Sequence, residues 1–244
     1  MTIEKDQSHP FKNAYYFILT HLIIPGIILV LMIIGLEYFQ LDYAFTQLFY
    51  DHKTQNWPYK DAWLTQTVFH KWGQKLSISM GVIIFILFIL SFLLKKLKAY
   101  KKALGFLFLS SISGPVVIAI LKSSTHIYCP WSLKIFGADK PYIKLFDSVA
   151  PSLPVGHCFP GGHAGGGFAF ISLYYFLMII APAYRFYGLA TGLVIGIVFA
   201  LTQEMRGAHF ISHDLTSLLI CWELISILFI IFYRDRFNWK LRNL

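Results

Sequence analysis

Six stretches of the chain, residues 17–36, 76–94, 103–121, 164–184, 186–202 and 215–233, are apolar over nearly all of their length. Each approaches the ~20 residues that a helix needs to cross a hydrocarbon core. Backbone N–H and C=O groups cannot stay unpaired in lipid, so a spanning segment is either a helix or a strand of a closed barrel. These runs lack the alternating ten-residue pattern of barrel strands. The expectation is therefore all-α, a polytopic membrane protein with six transmembrane helices. Composition agrees: at 57% hydrophobic and 14% charged over 244 residues, an ordinary soluble domain is excluded. The first run begins inside the chain, exceeds a signal-peptide core and has no small-residue cleavage site, so it reads as a retained anchor. With no internal repeat or linker, residues 1–244 read as one domain.

A formal charge of +9 invites a nucleic-acid reading, but the placement of the charges argues for none. Lys95, Lys96, Lys98, Lys101 and Lys102 crowd the link between the second and third runs, Arg185 separates the fourth and fifth, and Arg234, Arg236, Lys240 and Arg242 follow the sixth. By the positive-inside rule these places are cytoplasmic. Both termini are then inside, and the loops after helices one, three and five are outside. The basic excess serves topology and attraction to the lipid bilayer.

Two outer loops are long. Residues 38–75 scatter Tyr43, Phe45, Tyr50, Trp57, Tyr59, Trp63 and Trp72 among charges, as expected of a segment at headgroup level, with a lid over a lipid site as the alternative. Residues 122–163 run well beyond the ~12 to 15 residues above which an irregular connection usually carries function.

The second loop ends in "CFPGGHAGGG", which places His163 among glycines at the start of the fourth helix. Unpaired N–H groups and the positive end of a helix dipole make that a ready anion site. Gly161, Gly162, Gly165, Gly166 and Gly167 would let a phosphate approach the main chain or let helices pack closely; the histidine favours the anion. The last outer loop reads "RGAHFISHD", with Arg206 a turn ahead of His209. His209 and His213 would share a face if the sixth helix starts early. "LKSSTHIYCP" emerges on the same side, so Lys122, His163, Arg206, His209 and His213 are expected to converge.

These three segments resemble the three-part signature of the type 2 phosphatidic acid phosphatase superfamily, membrane relatives of the vanadium haloperoxidases. That signature has a lysine, six residues and Arg-Pro; then Pro-Ser-Gly-His; then an arginine ahead of Gly-x-His with an aspartate four residues on. "LDYAFTQLFYD" and "STHIYCPW" look like a bacterial subgroup. The chain departs from the pattern in each part. Cys129 stands for the first arginine and Gly161 for the serine, Arg206 is three rather than six residues before His209, and His213 holds the fourth place after His209 with Asp214 one further on.

The resemblance implies a lipid phosphatase of the bacterial inner membrane, its site facing the periplasm, that needs no metal and no cofactor. Its substrate is a phosphorylated membrane lipid: an isoprenoid pyrophosphate, lipid A, phosphatidylglycerol phosphate or phosphatidic acid. Lys122 and Arg206 would hold the phosphoryl oxygens, with the N–H groups at Gly161 and Gly162. His209 would attack phosphorus to form a phosphohistidine, oriented by His213 or Asp214, and His163 would protonate the leaving oxygen and then activate water. Phosphotransfer to a second lipid is a near alternative, and a non-catalytic lipid-binding or transport protein a more distant one. A zinc site at His209 and His213 with Glu204 would leave Lys122, His163 and the glycines unexplained.

Cys129 and Cys158 lie in the same outer loop, so an oxidising compartment would let them join the lysine segment to the His163 segment. Closing such a loop is worth roughly 3 to 4 kcal/mol in the chain-entropy account. Lys134, Lys140, Lys144, His126 and His157 are the candidates for a cation in place of the missing arginine, each reading more simply as a solvated residue. Glu223, fourteen residues past His209, lies about 20 Å deeper and reads as a structural carboxyl.

Overall fold

The computed structural model describes residues 13–150 and 152–239; Lys240 and Arg242 lie outside the described residues. Within them, six helices are long and apolar enough to cross a membrane: α1 (Ala14–Tyr38), α2 (Trp63–Leu93), α3 (Lys98–Lys122), α4 (Gly162–Ile180), α5 (Pro182–Met205) and α6 (Ile211–Phe232). The chain is a multi-pass membrane protein. Among the described residues no sheet forms; two isolated bridges, Asp51 with Asn56 and Leu133 with Lys140, are the nearest approach to one.

The helices solve the backbone problem of the membrane in ways the side chains dictate. Pro25 has no N–H to give to the carbonyl of His21, one turn earlier. Around it α1 winds as a π-helix over Leu19–Ile23, and that carbonyl instead accepts from Trp222 Nε1 at 2.6 Å and Ser226 Oγ at 3.2 Å on α6. The orphan acceptor thereby ties α1 to α6, beside a stack of Phe17 on Phe229. Gly188, Gly192 and Gly196 form one stripe of α5 at four-residue spacing, and a Cβ on Gly188 would stand 2.6 Å from the Leu173 carbonyl carbon. At Gly167 a Cβ would meet the Gly196 backbone at 2.6 Å. Small residues let α4 and α5 approach backbone to backbone.

At one end of the bundle the two ends of the described chain meet, where the Ala14 N–H donates to Asn238 O at 3.0 Å. At the other end the loops after α1, α3 and α5 form a layer over the helices. Tyr50, Trp57, Tyr128, Leu133, Phe136 and Phe210 pack there as a core separate from that of the bundle. The loop between α1 and α2 is therefore not simply an interfacial anchor. Tyr50 and Trp57 are buried because they face two other loops, while Trp63 and Trp72 remain exposed. Helix α2 also starts well before its apolar run, and its first turns, Trp63–Trp72, are π-wound and packed on α5.

Candidate active site

The site is built where α3 ends, α4 and α6 begin and α5 ends. Helix α6 starts at Ile211, so His209 precedes it, and His209 and His213 do not share a helical face. The bond to His209 comes from Asp214: Nδ1 donates to Oδ1 at 2.8 Å, with both side chains almost wholly buried. His213 instead packs edge-on to Phe159 and Phe210, its Nδ1 without a partner among the described residues. Two consecutive helical positions point about 100° apart, so one of them faces His209, and here it is the aspartate. The Asp214 contact leaves Nε2 as the free nitrogen of His209. Burial, and then the charges of Lys122 and Arg206, lower the pKa of His209 to about 3, so the ring is neutral.

Asp42, from the short helix Leu41–Thr46, fixes the start of α6. Its buried Oδ1 accepts the Ser212 N–H at 2.9 Å, at the positive end of the helix. Burial raises the Asp42 pKa. Sequence reasoning missed this residue, although a lone carboxylate in an apolar turn was a signal.

Gly161 was expected to offer its N–H to a phosphate; the structure gives that N–H to His213 O at 3.1 Å. The glycine serves a different purpose. A Cβ there would fall on Asp214 Oδ1 and stand 2.9 Å from His209 Nδ1. Two of the chain's departures therefore belong together: with the aspartate one residue later, its carboxylate occupies the space a serine would need. Gly162 opens α4, and a Cβ on it would lie 3.6 Å from Lys122 Nζ, so the ammonium sits against the helix start. Gly165 and Gly167 face Ile118 and Gly196 and serve helix packing.

His163 Nε2 donates to the Phe69 carbonyl at 3.0 Å, since the carbonyl can only accept. Its ring stacks on Phe199, centroids 4.2 Å apart. Nδ1 is therefore the atom left to gain and lose a proton. The nearly buried Arg206 is gripped on three sides. Nε donates to Lys60 O at 2.9 Å, Nη1 to Gln203 Oε1 at 2.9 Å, and Nη2 to Gln66 Oε1 in a very short contact. Of five N–H groups two remain for a ligand. Gln203 occupies the place six residues before His209, and the arginine one turn later reaches back beside it. Gln203 Nε2 also lies 3.0 Å from His70 Nδ1. Sequence reasoning missed Gln203, Gln66 and His70; a glutamine inside an apolar helix was the available sign for the first.

Lys122, His163, Arg206, His209 and Gly162 line one cavity of about 540 Å³, with His70, Trp131 and His157. Lys134, Lys140 and Lys144 do not line it; Lys140 pairs with Asp139 at 2.9 Å. Cys129 and Cys158 form a disulfide with Cα atoms 5.2 Å apart, and Cys129 is part of the cavity wall. Among the described residues no three His, Cys, Asp or Glu side chains come together in a metal-holding group, so Glu204 does not join His209 and His213. Glu223 is remote, its Oε1 against Gly26 of α1.

A second cavity of about 500 Å³ adjoins the first, sharing Ser77, Ile78, Pro115 and Gly166 with it. It runs among Val82, Phe85, Phe108 and Phe170, with no charged residue in its wall. Ile78 and Val82 are 59% and 49% exposed, so this groove opens on the lipid-facing surface.

Compared with known sequences and structures, residues 103–237 match the sequence model of the PAP2 superfamily. No curated protein and no solved structure matches the chain.

Proposed function

This chain belongs to the PAP2 superfamily, whose members are generally phosphatases, and from that premise we propose that it is a lipid phosphatase working through a phosphohistidine. The observation that carries the proposal is the continuity of two unlike cavities. A polar one holds two cations and four histidines, and an uncharged one leads from it to the lipid surface. A phosphate on a hydrocarbon tail fits both at once.

Lys122 and the two free N–H groups of Arg206 neutralise the phosphoryl oxygens, and the first N–H groups of α4 assist. Neutral His209 attacks phosphorus through Nε2 while its Nδ1 keeps its proton, hydrogen-bonded to Asp214. The P–O bond to the lipid breaks, and His163 gives its Nδ1 proton to the departing oxygen. The same nitrogen then takes a proton from water, whose hydroxide displaces His209 and releases phosphate. No step calls on a metal or cofactor. On this reading both termini lie in the cytoplasm and the site faces the periplasm of a bacterial inner membrane, a topology that the basic links between helices support. Residues 1–244 work as one domain.

The test is phosphate release from isoprenoid pyrophosphate, lipid A, phosphatidylglycerol phosphate and phosphatidic acid by the full chain in detergent, with and without chelator. His163→Ala and His209→Ala run alongside. Release that survives chelation and disappears in both variants is expected. Release that persists undiminished in His209→Ala rules out the phosphohistidine route. Label transferred to an added acceptor lipid rather than to water would make the protein a phosphotransferase.

A further inference from the structure

Replacing the first signature arginine with Cys129, now tied up in a disulfide, removes a donor from the phosphate site. None of the loop lysines takes its place in the cavity wall. His70, on the first turns of α2 and outside the matched residues 103–237, does line that wall. Its ring meets His163 edge-on, centroids 4.9 Å apart.

The protonation of His70 follows from its neighbours one bond at a time. Arg206 can only donate, so the Gln203 atom facing it at 2.9 Å is the amide oxygen. The amide nitrogen of Gln203 must then face His70, and it is a donor. His70 Nδ1, 3.0 Å away, is therefore the acceptor. In a neutral imidazole the proton then sits on Nε2. That nitrogen hydrogen-bonds to none of the described residues, on a ring that borders the cavity holding Lys122, Arg206 and His209. A fixed donor with no protein acceptor beside two cations is matched to an anion.

We infer that His70 is a phosphate-binding residue, its Nε2–H donating to a phosphoryl oxygen in place of the absent arginine, with its tautomer set through Gln203 by Arg206. The inference deepens the phosphatase reading and rests on it for the identity of the ligand. A neutral donor replaces a cationic one, so the site gains a directional bond without adding a third positive charge.

Two amide substitutions separate the nitrogens. His70→Gln can bring an amide N–H close to the place of Nε2, whereas His70→Asn reaches no further than Nδ1 and can keep its bond to Gln203. Binding of inorganic phosphate to the full chain in detergent is measured by titration calorimetry, and KM and kcat are measured for the preferred lipid. His70→Asn should weaken phosphate binding and raise KM by about 10- to 100-fold, the worth of a hydrogen bond to a charged group. His70→Gln should recover most of both, at matched thermal stability. Equal phosphate affinity in wild type and His70→Asn overturns the inference, as does failure of the wild type to bind phosphate. Phosphate binding by a wild type that hydrolyses no lipid removes the phosphatase reading instead, and the two amide variants still decide the role of His70.

Discussion

Residues 103–237, the part that matches the family, and the residues before Ala103 meet at the same cavity but contribute different things to it. The first part brings the groups with chemistry: Lys122, His163, Arg206, His209 and Asp214. The earlier part brings acceptors that hold those groups in one state. Phe69 O occupies Nε2 of His163, Lys60 O and Gln66 grip Arg206, and Asp42 caps the helix that presents Asp214. The reacting groups are thus drawn from one stretch of chain, and much of what orients them from another. A residue type fixes what a side chain can do, and a neighbour distant in sequence fixes which of its atoms does it.

The comparison breaks most sharply at His209. His209→Ala should lower phosphate release on the order of 10⁴-fold and abolish acid-labile phosphate on the protein, read by pulse labelling. A label that persists would move the nucleophile elsewhere. Next comes Gly161→Ser, which restores the family's residue yet places a Cβ on the Asp214 carboxylate. Activity should fall about 100-fold through displacement of the His209 partner. A variant as active as wild type would mean that the Asp214 contact does not position His209.

Gln66→Leu tests the earlier part alone, since it removes one hold on Arg206 and no reacting group. A fall of about 10-fold in kcat/KM, expressed mainly in KM, is expected from steady-state kinetics. No change would mean that the Gln66 contact does not hold Arg206 in place for its ligand.

The smallest effect is on stability against pH. His209 has a pKa of about 3 in the folded protein against an ordinary value of 6.5. Between those values the unfolded chain binds a proton that the folded one refuses, so stability falls as pH drops from 6.5 toward 3 and levels below it. Melting temperatures of wild type and His209→Gln across that window should show a shallower acid slope in the variant. Parallel slopes would show that the ring is not held neutral.

The six spans were legible in the sequence because lipid leaves the backbone few choices, and the structure moves their ends by a few residues apart from the early start of α2. Lys122, His163, Arg206 and His209 were legible as a group because ionisable residues at the ends of apolar runs need a reason to be there. What escaped was the partner of each. His213 and Asp214 could not be ranked for His209 without knowing that α6 begins at Ile211, a boundary set partly by Asp42 some 170 positions away. Gly161 read as an anion cradle because a glycine's sequence does not say what fills the space beside it. His70 and Gln66 were hidden in a loop whose aromatics suggested an interfacial segment, and an arginine's grip on a distant glutamine leaves no periodic trace.

The groove between Ile78, Val82, Phe85 and Phe108 also changes how the protein's rate has to be counted. A substrate whose tail lies there is delivered sideways, by diffusion within one leaflet, and its concentration is a number per area. Diluting the same amount of substrate with inert lipid would slow turnover, while diluting the whole vesicle suspension with buffer would leave turnover per enzyme unchanged.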